Sequence, residues 1–293
     1  MKDYLIRAID KSGRIRLFVA KTTNLVEESR RIHNTSPTAT AAMGRSLTAG
    51  AMMGAMMKNE EDKLTIKISG NGPVGKILVV ANNLGHVKAD IDFPMADVPS
   101  RSDGKLDVGR LVGNDGTLTI IMDLGLKKPY VGQSSLVTGE IAEDIANFYM
   151  TSEQTPSAVS LGVLVDRDIS CIAAGGYIIQ LFPGVSDEDI SKIENALAKI
   201  EPVSAMINKG LTPEEIMNQI LGEFDMEVLG KLDLEYRCDC SRDKIEKVIV
   251  SLGRKEIEEM IHEDEEVEVV CHFCGTKYQF NKNDLCKLLV DIS

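Results

Sequence analysis

A chain of 293 residues is long enough for one large domain, or for a medium domain with an appendage. Its formal net charge of −12 opposes nucleic-acid phosphates and disfavours a broad polyanion-binding role. With 43% hydrophobic residues, 4% aromatics and no tryptophan, any core must be built from aliphatic side chains and methionine.

The N-terminal stretch MKDYLIRAIDKSGRIRLF carries a charge every few residues, so no targeting segment is expected. The uncharged stretch Ile169 to Val185 is broken by Gly175, Gly176 and Pro183, which gives strand and turn instead of a membrane span. The expected compartment is the cytoplasm, where thiols stay reduced. Six cysteines there point to metal ligands or redox groups more than to structural disulfides.

From Tyr4 to about Gln180 the pattern is mostly that of strands. Leu64 to Ile68, Lys76 to Val80, Val87 to Ile91, Thr117 to Met122 and Ala158 to Val165 are rich in β-branched residues and separated by turn formers. Thr22 to Asn34 is expected to be helical. Ser36-Pro37 opens a second helix, with serine as N-cap and proline at the first helical position, running to about Met57. Its residues Met43, Met52, Met53, Met56 and Met57 suit a core helix first and an adaptable binding surface second. A third helix is expected over Glu140 to Met150, with Ile141, Ile145 and Phe148 on one face. Strands with a few long helices imply an α+β class.

After Gly184 the character changes. Ile190, Ile193, Leu197 and Ile200 mark one face of a helix over Ser186 to Ile200. Pro202 ends it, a short helix follows, and Thr212-Pro213-Glu214-Glu215 starts another that reaches Leu221. Three parts are expected: an N-terminal α+β domain over 1–184, a helical linker over 185–230, and a small C-terminal zinc-binding domain over 231–293. The last holds two amphipathic helices (Ile245, Val248, Ile249, Leu252; Ile257, Met260, Ile261) and a closing helix, Lys282 to Ile292. A segment of this size is too small for a secure core, so a metal staple is physically expected.

That staple has candidate ligands. Cys238-Asp239-Cys240 and Cys271-His272-Phe273-Cys274 form CxC and CxxC pairs 30 residues apart. Zinc favours four thiolates in a tetrahedron. CxxC suits a hairpin turn, whereas CxC needs the chain to turn near Asp239. Ser241 is placed to cap the next helix, which would aim N–H groups at Cys240 and lower its thiol pKa. His262 or His272 could replace a cysteine, but the ring of a histidine inside CxxC points more naturally outward.

The residues alone leave a purely structural zinc module, a zinc switch, a thiol–disulfide enzyme using Cys271 and Cys274, and a zinc-stapled RNA-binding module in play. Residues 231–293 hold ten Lys and Arg against fifteen Asp and Glu, a net of −5, which opposes the last. The missing βαβ context opposes the enzyme. Eight carboxylates between Glu256 and Glu268 read as a solvated face. Cys171, in a strand-like run, and Cys286, near Leu285 and Leu289, are expected as packed core thiols.

Other signals carry no chemistry. Gly70-Asn71-Gly72-Pro73-Val74-Gly75 matches a dinucleotide fingerprint, but strand-like Lys76 to Val80 follows where a helix is needed, so a β-hairpin is expected. His33 and His86 are isolated, no HExxH occurs, and no catalytic triad or ATP site is evident.

With these residues in view the chain resembles the bacterial redox-regulated heat-shock chaperone (holdase) family, heat shock protein thirty-three. The resemblance rests on the CxC…CxxC signature and on four further stretches. These are Pro37 to Arg45, the Gly70-Asn71-Gly72-Pro73 turn, Ser152-Glu153-Gln154, and Gly175 to Gly184. It covers nearly the full length; Cys171 and Cys286 fall outside the four-cysteine pattern. The resemblance implies a non-enzymatic, ATP-independent chaperone. Reduced Cys238, Cys240, Cys271 and Cys274 would hold one zinc ion. Oxidation would form disulfides Cys238–Cys240 and Cys271–Cys274 and release the metal. The linker would then unfold, exposing apolar surface to unfolding client proteins, and a homodimer would form. No nucleic acid or membrane partner is implied.

Overall fold

Near-continuous apolar runs at the N-terminus build two adjacent strands buried on both faces, β1 (Tyr4–Asp10) and β2 (Ile15–Lys21), followed by helices α1 (Thr23–His33) and α2 (Pro37–Gly54). A meander comes next: β3 (Lys63–Ser69), β4 (Lys76–Ala81), β5 (His86–Ile91), the short α3 (Val108–Val112), β6 (Thr117–Asp123) and β7 (Tyr130–Ser135). Helix α4 (Ala142–Thr151) leads to the long hairpin β8 (Ser157–Val165) and β9 (Cys171–Leu181). Helices α5 (Asp187–Lys199), α6 (Val203–Asn208) and α7 (Pro213–Leu221) precede β10 (Met226–Asp233) and β11 (Glu235–Tyr236). This computed structural model describes residues 2–263 and 266–290, which fall into two compact units, 1–237 and 238–293.

The first unit has two sheets. Strand order β10-β1-β2-β9-β8 is antiparallel throughout; order β11-β5-β4-β3-β6-β7 is antiparallel apart from the parallel β11–β5 pair. Helix α2 lies between them, touching β8 and β9 on one side and β3, β4 and β5 on the other. A helix buried all round must be narrow, and α2 is made of Ala, Gly, Ser and Thr wherever the sheets press closest. A Cβ on Gly44 would sit 2.7 Å from Val26, and one on Gly50 would sit 2.6 Å from Val79. Ser46 donates to the Ala42 carbonyl (2.9 Å) and Thr48 to that of Gly44 (2.8 Å), so burial leaves these two hydroxyls satisfied, whereas the buried Thr38 Oγ1 has no partner among the described residues. The expected start is present: Ser36 Oγ accepts from the Ala39 amide at 3.2 Å, with Pro37 in the first turn. Met43, Met52 and Met53 are buried, so the methionine helix belongs to the core.

The Gly70–Gly75 segment is the β3–β4 turn, as its pattern predicts. Gly72 is required there because a Cβ would lie 2.2 Å from the Leu111 carbonyl oxygen. Cys171, at the start of β9, is buried as expected. Burial first, then the nearby Glu27 and Asp3 carboxylates, push its thiol up to about 12, leaving it inert at neutral pH.

The outer face of the first sheet packs against α6 and α7 through Tyr4, Leu17, Tyr177, Met206 and Ile216. Helix α5 is held less firmly: Ile193 is its single buried residue, and its main helical neighbour is α7. Clefts of about 410 and 490 Å³ open along it, bordered by Ala196, Lys199, Met206 and Gln219, and by Asn195, Asn218 and Phe224. The helical run ends at Leu221, not at 230. Residues 226–233 pair antiparallel with β1, where an open sheet edge recruits the alternating Met226–Asp233 segment.

The second unit contains α8 (Arg242–Leu252), α9 (Arg254–Glu263), the hairpin β12 (Glu266–Val270) and β13 (Lys277–Asn281), and α10 (Lys282–Val290). Its buried apolar core is Ile249, Ile257, Phe280, Leu285 and Leu288, and Cys271 is buried as well. Two expectations fail here. Cys286 is exposed, because the helical turn that sends Leu285 and Leu288 inward carries residue 286 about 100° away. Val248 and Leu252 are half-exposed instead of packed, since Ile249 takes the core-facing position. Glu256, Glu258, Glu259, Glu266 and Glu268 are solvated as expected. Asp264, Glu265 and the expected helix end at 291–292 lie outside the described residues.

Candidate metal centre

Two local devices present the four predicted cysteines. In the first, the chain turns at Asp239, whose carbonyl accepts from Lys244 Nζ at 2.8 Å and whose carboxylate pairs with the same ammonium. Ser241 then caps α8, its Oγ accepting from the Lys244 amide at 3.3 Å. This sharp turn lets Cys238 and Cys240 point to one place, which an extended CxC could not do. In the second device β12 and β13 hold Cys271 to Cys274 in their connecting turn. The Cys271 amide donates to the Thr276 carbonyl at 2.9 Å, and the Gly275 amide returns to the Cys271 carbonyl at 2.8 Å. Gly275 adopts φ 70°, the left-handed conformation that reverses the chain.

The sulfurs converge. Cys238 Sγ lies 3.7 Å from Cys271 Sγ, Cys240 Sγ lies 3.4 Å from Cys274 Sγ, and all four fall within 4.8 Å of one another. A tetrahedron with metal–sulfur bonds of about 2.3 Å has edges of about 3.8 Å, whereas a disulfide requires about 2.05 Å. The spacing is that of a four-thiolate cage around one ion. Cys271 is buried and the other three are half-buried. His262 and His272 are exposed and lie outside the converging set, which consists of the four sulfurs.

The electrostatics of the free thiols are uneven. Burial, then bonding among the neighbouring thiols, pushes Cys238 and Cys271 up. Burial also acts on Cys274, but the hydroxyl and amide of Thr276 and the adjacent thiols outweigh it and bring it down to about 7. Tyr278 donates to Cys240 Sγ at 3.1 Å, and that bond first, with burial second, pushes the phenol up to about 12. Crowded thiols that resist ionisation are what a divalent ion reverses, since a coordinating thiol is deprotonated outright. Thr276 and Tyr278 were not foreseen as supporting residues. Their signal is modest: both follow the CxxC closely, Thr276 in the turn just before β13 and Tyr278 on the strand.

A family model described as Hsp33 protein matches residues 3–281. The chain belongs to the Hsp33 family. It is 50% identical over 289 residues to a 33 kDa chaperonin of Bacillus cytotoxicus, covering 99% of each chain. It is 49% identical over 292 residues to a 33 kDa chaperonin of Bacillus cereus, covering 100% of each. Among solved structures, the crystal structure of the 33 kDa chaperonin (heat shock protein 33 homolog) of Thermotoga maritima superposes with a TM-score of 0.91. The sequences are 32% identical, and the match covers 99% of both chains. Hsp33 proteins are chaperones and not enzymes, so the thiol–disulfide enzyme alternative falls. Among the described residues no helix is long and apolar enough to cross a membrane.

Proposed function

We propose that this Hsp33-family chain is a redox-regulated, ATP-independent holdase of the cytoplasm that binds unfolding proteins under oxidative stress. The observation that supports it best is the convergence of Cys238, Cys240, Cys271 and Cys274 from two separate turns. An all-sulfur tetrahedral donor set suits zinc, and the four thiolates would be its ligands. When bound, zinc supplies a redox-inert cross-link and a large part of the folding energy of the second unit.

In the reduced chain the four thiolates are held together and the clients are not bound. Under a peroxide-class oxidant each cysteine pair gives up two electrons and becomes a disulfide. The oxidant's O–O bond breaks, and with protons from thiols or solvent it leaves as water. The pairing Cys238–Cys240 and Cys271–Cys274 is carried from the family resemblance, since in a tetrahedron each sulfur neighbours the other three. A disulfide sulfur is no longer a thiolate ligand, so oxidation dismantles the donor set. The functional division is then a domain over 1–184, a switchable linker over 185–230 and the redox domain over 231–293. The loosely packed α5, with clefts on its flank, suits a linker that unfolds at low cost and exposes apolar surface to clients. The oxidised form is expected to be a homodimer.

Light scattering from a thermally aggregating client tests this reading. Suppression by peroxide-treated chain and none by zinc-loaded reduced chain is the expected result. Equal behaviour of the two forms would leave the cysteines as a structural staple only.

A further inference from the structure

Where α2 ends at Gly54, side chains from both sheets of the first unit border a cavity of about 180 Å³. The second sheet contributes Leu64, Ile120 and Met122, α4 adds Phe148, and the end of α2 with the residues after it adds Met53 and Met56. An apolar cavity of about 150 Å³ takes up benzene, so this one has room for one side chain of leucine or methionine size. Its thioethers are unbranched and polarisable and adapt to different apolar shapes.

The charged groups at this cavity are one cation and one anion that do not pair with each other. Arg16 of β2 stacks on the rings of Phe18 and Phe182, 5.5 and 5.1 Å away, and donates through Nε and Nη2 to Gln180 Oε1 at 3.1 and 2.6 Å. Gln180 is itself buried and donates to Ser157 Oγ at 3.5 Å, so the guanidinium is held in one place. Burial disfavours its charge, and among the described residues no carboxylate lies within ion-pair distance to offset that. Glu153, just after α4, borders the same cavity. One of its carboxylate oxygens accepts from the Tyr130 hydroxyl at 2.8 Å, and the other has no hydrogen-bond partner among the described residues. Tyr149 lies within electrostatic reach of both charges: burial raises its phenol, Arg16 opposes that rise and Glu153 adds to it. Its hydroxyl is committed to Met56 Sδ at 3.3 Å, so it answers neither. Glu153 and Gln180 also belong to Ser152-Glu153-Gln154 and Gly175–Gly184, two stretches for which the cysteine site has no use.

We propose that this cavity binds a free apolar α-amino acid, with its carboxylate on Arg16, its ammonium on Glu153 and its side chain among the methionines. A simple carboxylate would meet Glu153 and a simple amine would meet Arg16, whereas a small zwitterion satisfies both. Each end of a polypeptide carries only one of these charges, so a peptide is the poorer occupant. Bonds between guanidinium and carboxylate are charge-assisted and directional. Because Arg16 is already stacked and hydrogen-bonded, little ordering opposes binding. The site lies within the first unit and stands independently of the thiol chemistry and of the chaperone reading.

Titration of the full-length reduced chain with L-leucine, followed by NMR of isotope-labelled methionine methyl groups, tests the proposal. Saturable shifts at Met53, Met56 and Met122 are expected, with Met95, Met206 and Met217, which lie outside the cavity, unmoved. The deaminated acid 4-methylpentanoate lacks the ammonium and leucinamide lacks the carboxylate, so each should bind at least about tenfold more weakly. Arg16→Gln should remove the preference for leucine over leucinamide, and Glu153→Gln the preference over 4-methylpentanoate. Absence of a saturable shift, or equal binding of all three ligands by the unaltered chain, would overturn the proposal. Should either variant fail to fold, the ligand series on the unaltered chain decides by itself.

Discussion

The two units of this chain solve the same problem with unequal means. The first buries a helix on all sides between two sheets and adds a second apolar layer outside one of them. The second has a handful of buried apolar residues, and Val248, Leu252 and Val270 remain between 41% and 54% exposed. Apolar burial scales with size, and a segment of under sixty residues gains too little of it to hold firmly. On the proposed function, the four sulfurs would supply through a bound metal what the small core lacks, and an oxidant would dismantle this unit while the larger one persists.

The largest effect should come from the small unit. Replacing Cys271 with serine is expected to lower zinc affinity by more than about 100-fold, beyond the 10–100-fold usual for losing an outer-shell partner. Competition with a chromogenic chelator measures it, and unchanged retention would break the comparison. In the large unit Leu47→Ala, at a fully buried site on α2, should cost about 2–5 kcal/mol in urea unfolding and leave zinc affinity untouched. A fall in zinc affinity would show that the two means of stabilisation are not separate.

Asp3 gives the large unit a pH signature. Its carboxylate accepts from the Leu25 amide at 2.7 Å and from Asn24 at 3.0 Å, yet burial dominates and raises it from 3.8 to about 6. The folded state therefore takes up this proton at higher pH than the unfolded chain. The contribution is fully stabilising below about 4 and is lost as pH rises through 6. It amounts to about 3 kcal/mol at most, at roughly 1.4 kcal/mol per unit. Asp3→Asn should flatten that part of the stability–pH curve between pH 4 and 7. A curve of unchanged slope would contradict the assignment. The smallest effect is expected at Thr212, whose hydroxyl accepts from the Glu215 amide at 3.2 Å in a capping box at the start of α7. Thr212→Ala should cost about 1 kcal/mol and lower the oxidant dose needed to loosen the connector. Limited proteolysis across 187–221 reads that dose.

What the sequence disclosed, and what it hid, divides along the same line between local and distant causes. The start of α2 was legible because Ser36 and Pro37 act within one turn, and α7 because its capping box spans four residues. The cysteines were legible because paired spacing is a local property of each turn, even though 30 residues separate the pairs. Strand β10 was not foreseen, since what makes it a strand is the open edge of β1, more than 200 residues earlier. Strand β7, polar and interrupted by Gly132, takes its form from pairing with β6 and has little signal of its own. Cys286 was misplaced by one position on a helix, enough to move a thiol from core to solvent. Tyr278 acts on Cys240 only through the hairpin that brings β13 beside the CxC turn, whereas Thr276 bonds Cys274 two residues away within the CxxC turn.

The central claim, that thiolate chemistry in the small unit decides the state of the chain, is tested most directly by hydrogen exchange on zinc-loaded protein before and after peroxide treatment. The account predicts lost protection across 242–290 and across 187–221, with β3, β4 and β6 as protected as before. Retained protection in 242–290 after both cysteine pairs have been shown oxidised would contradict it.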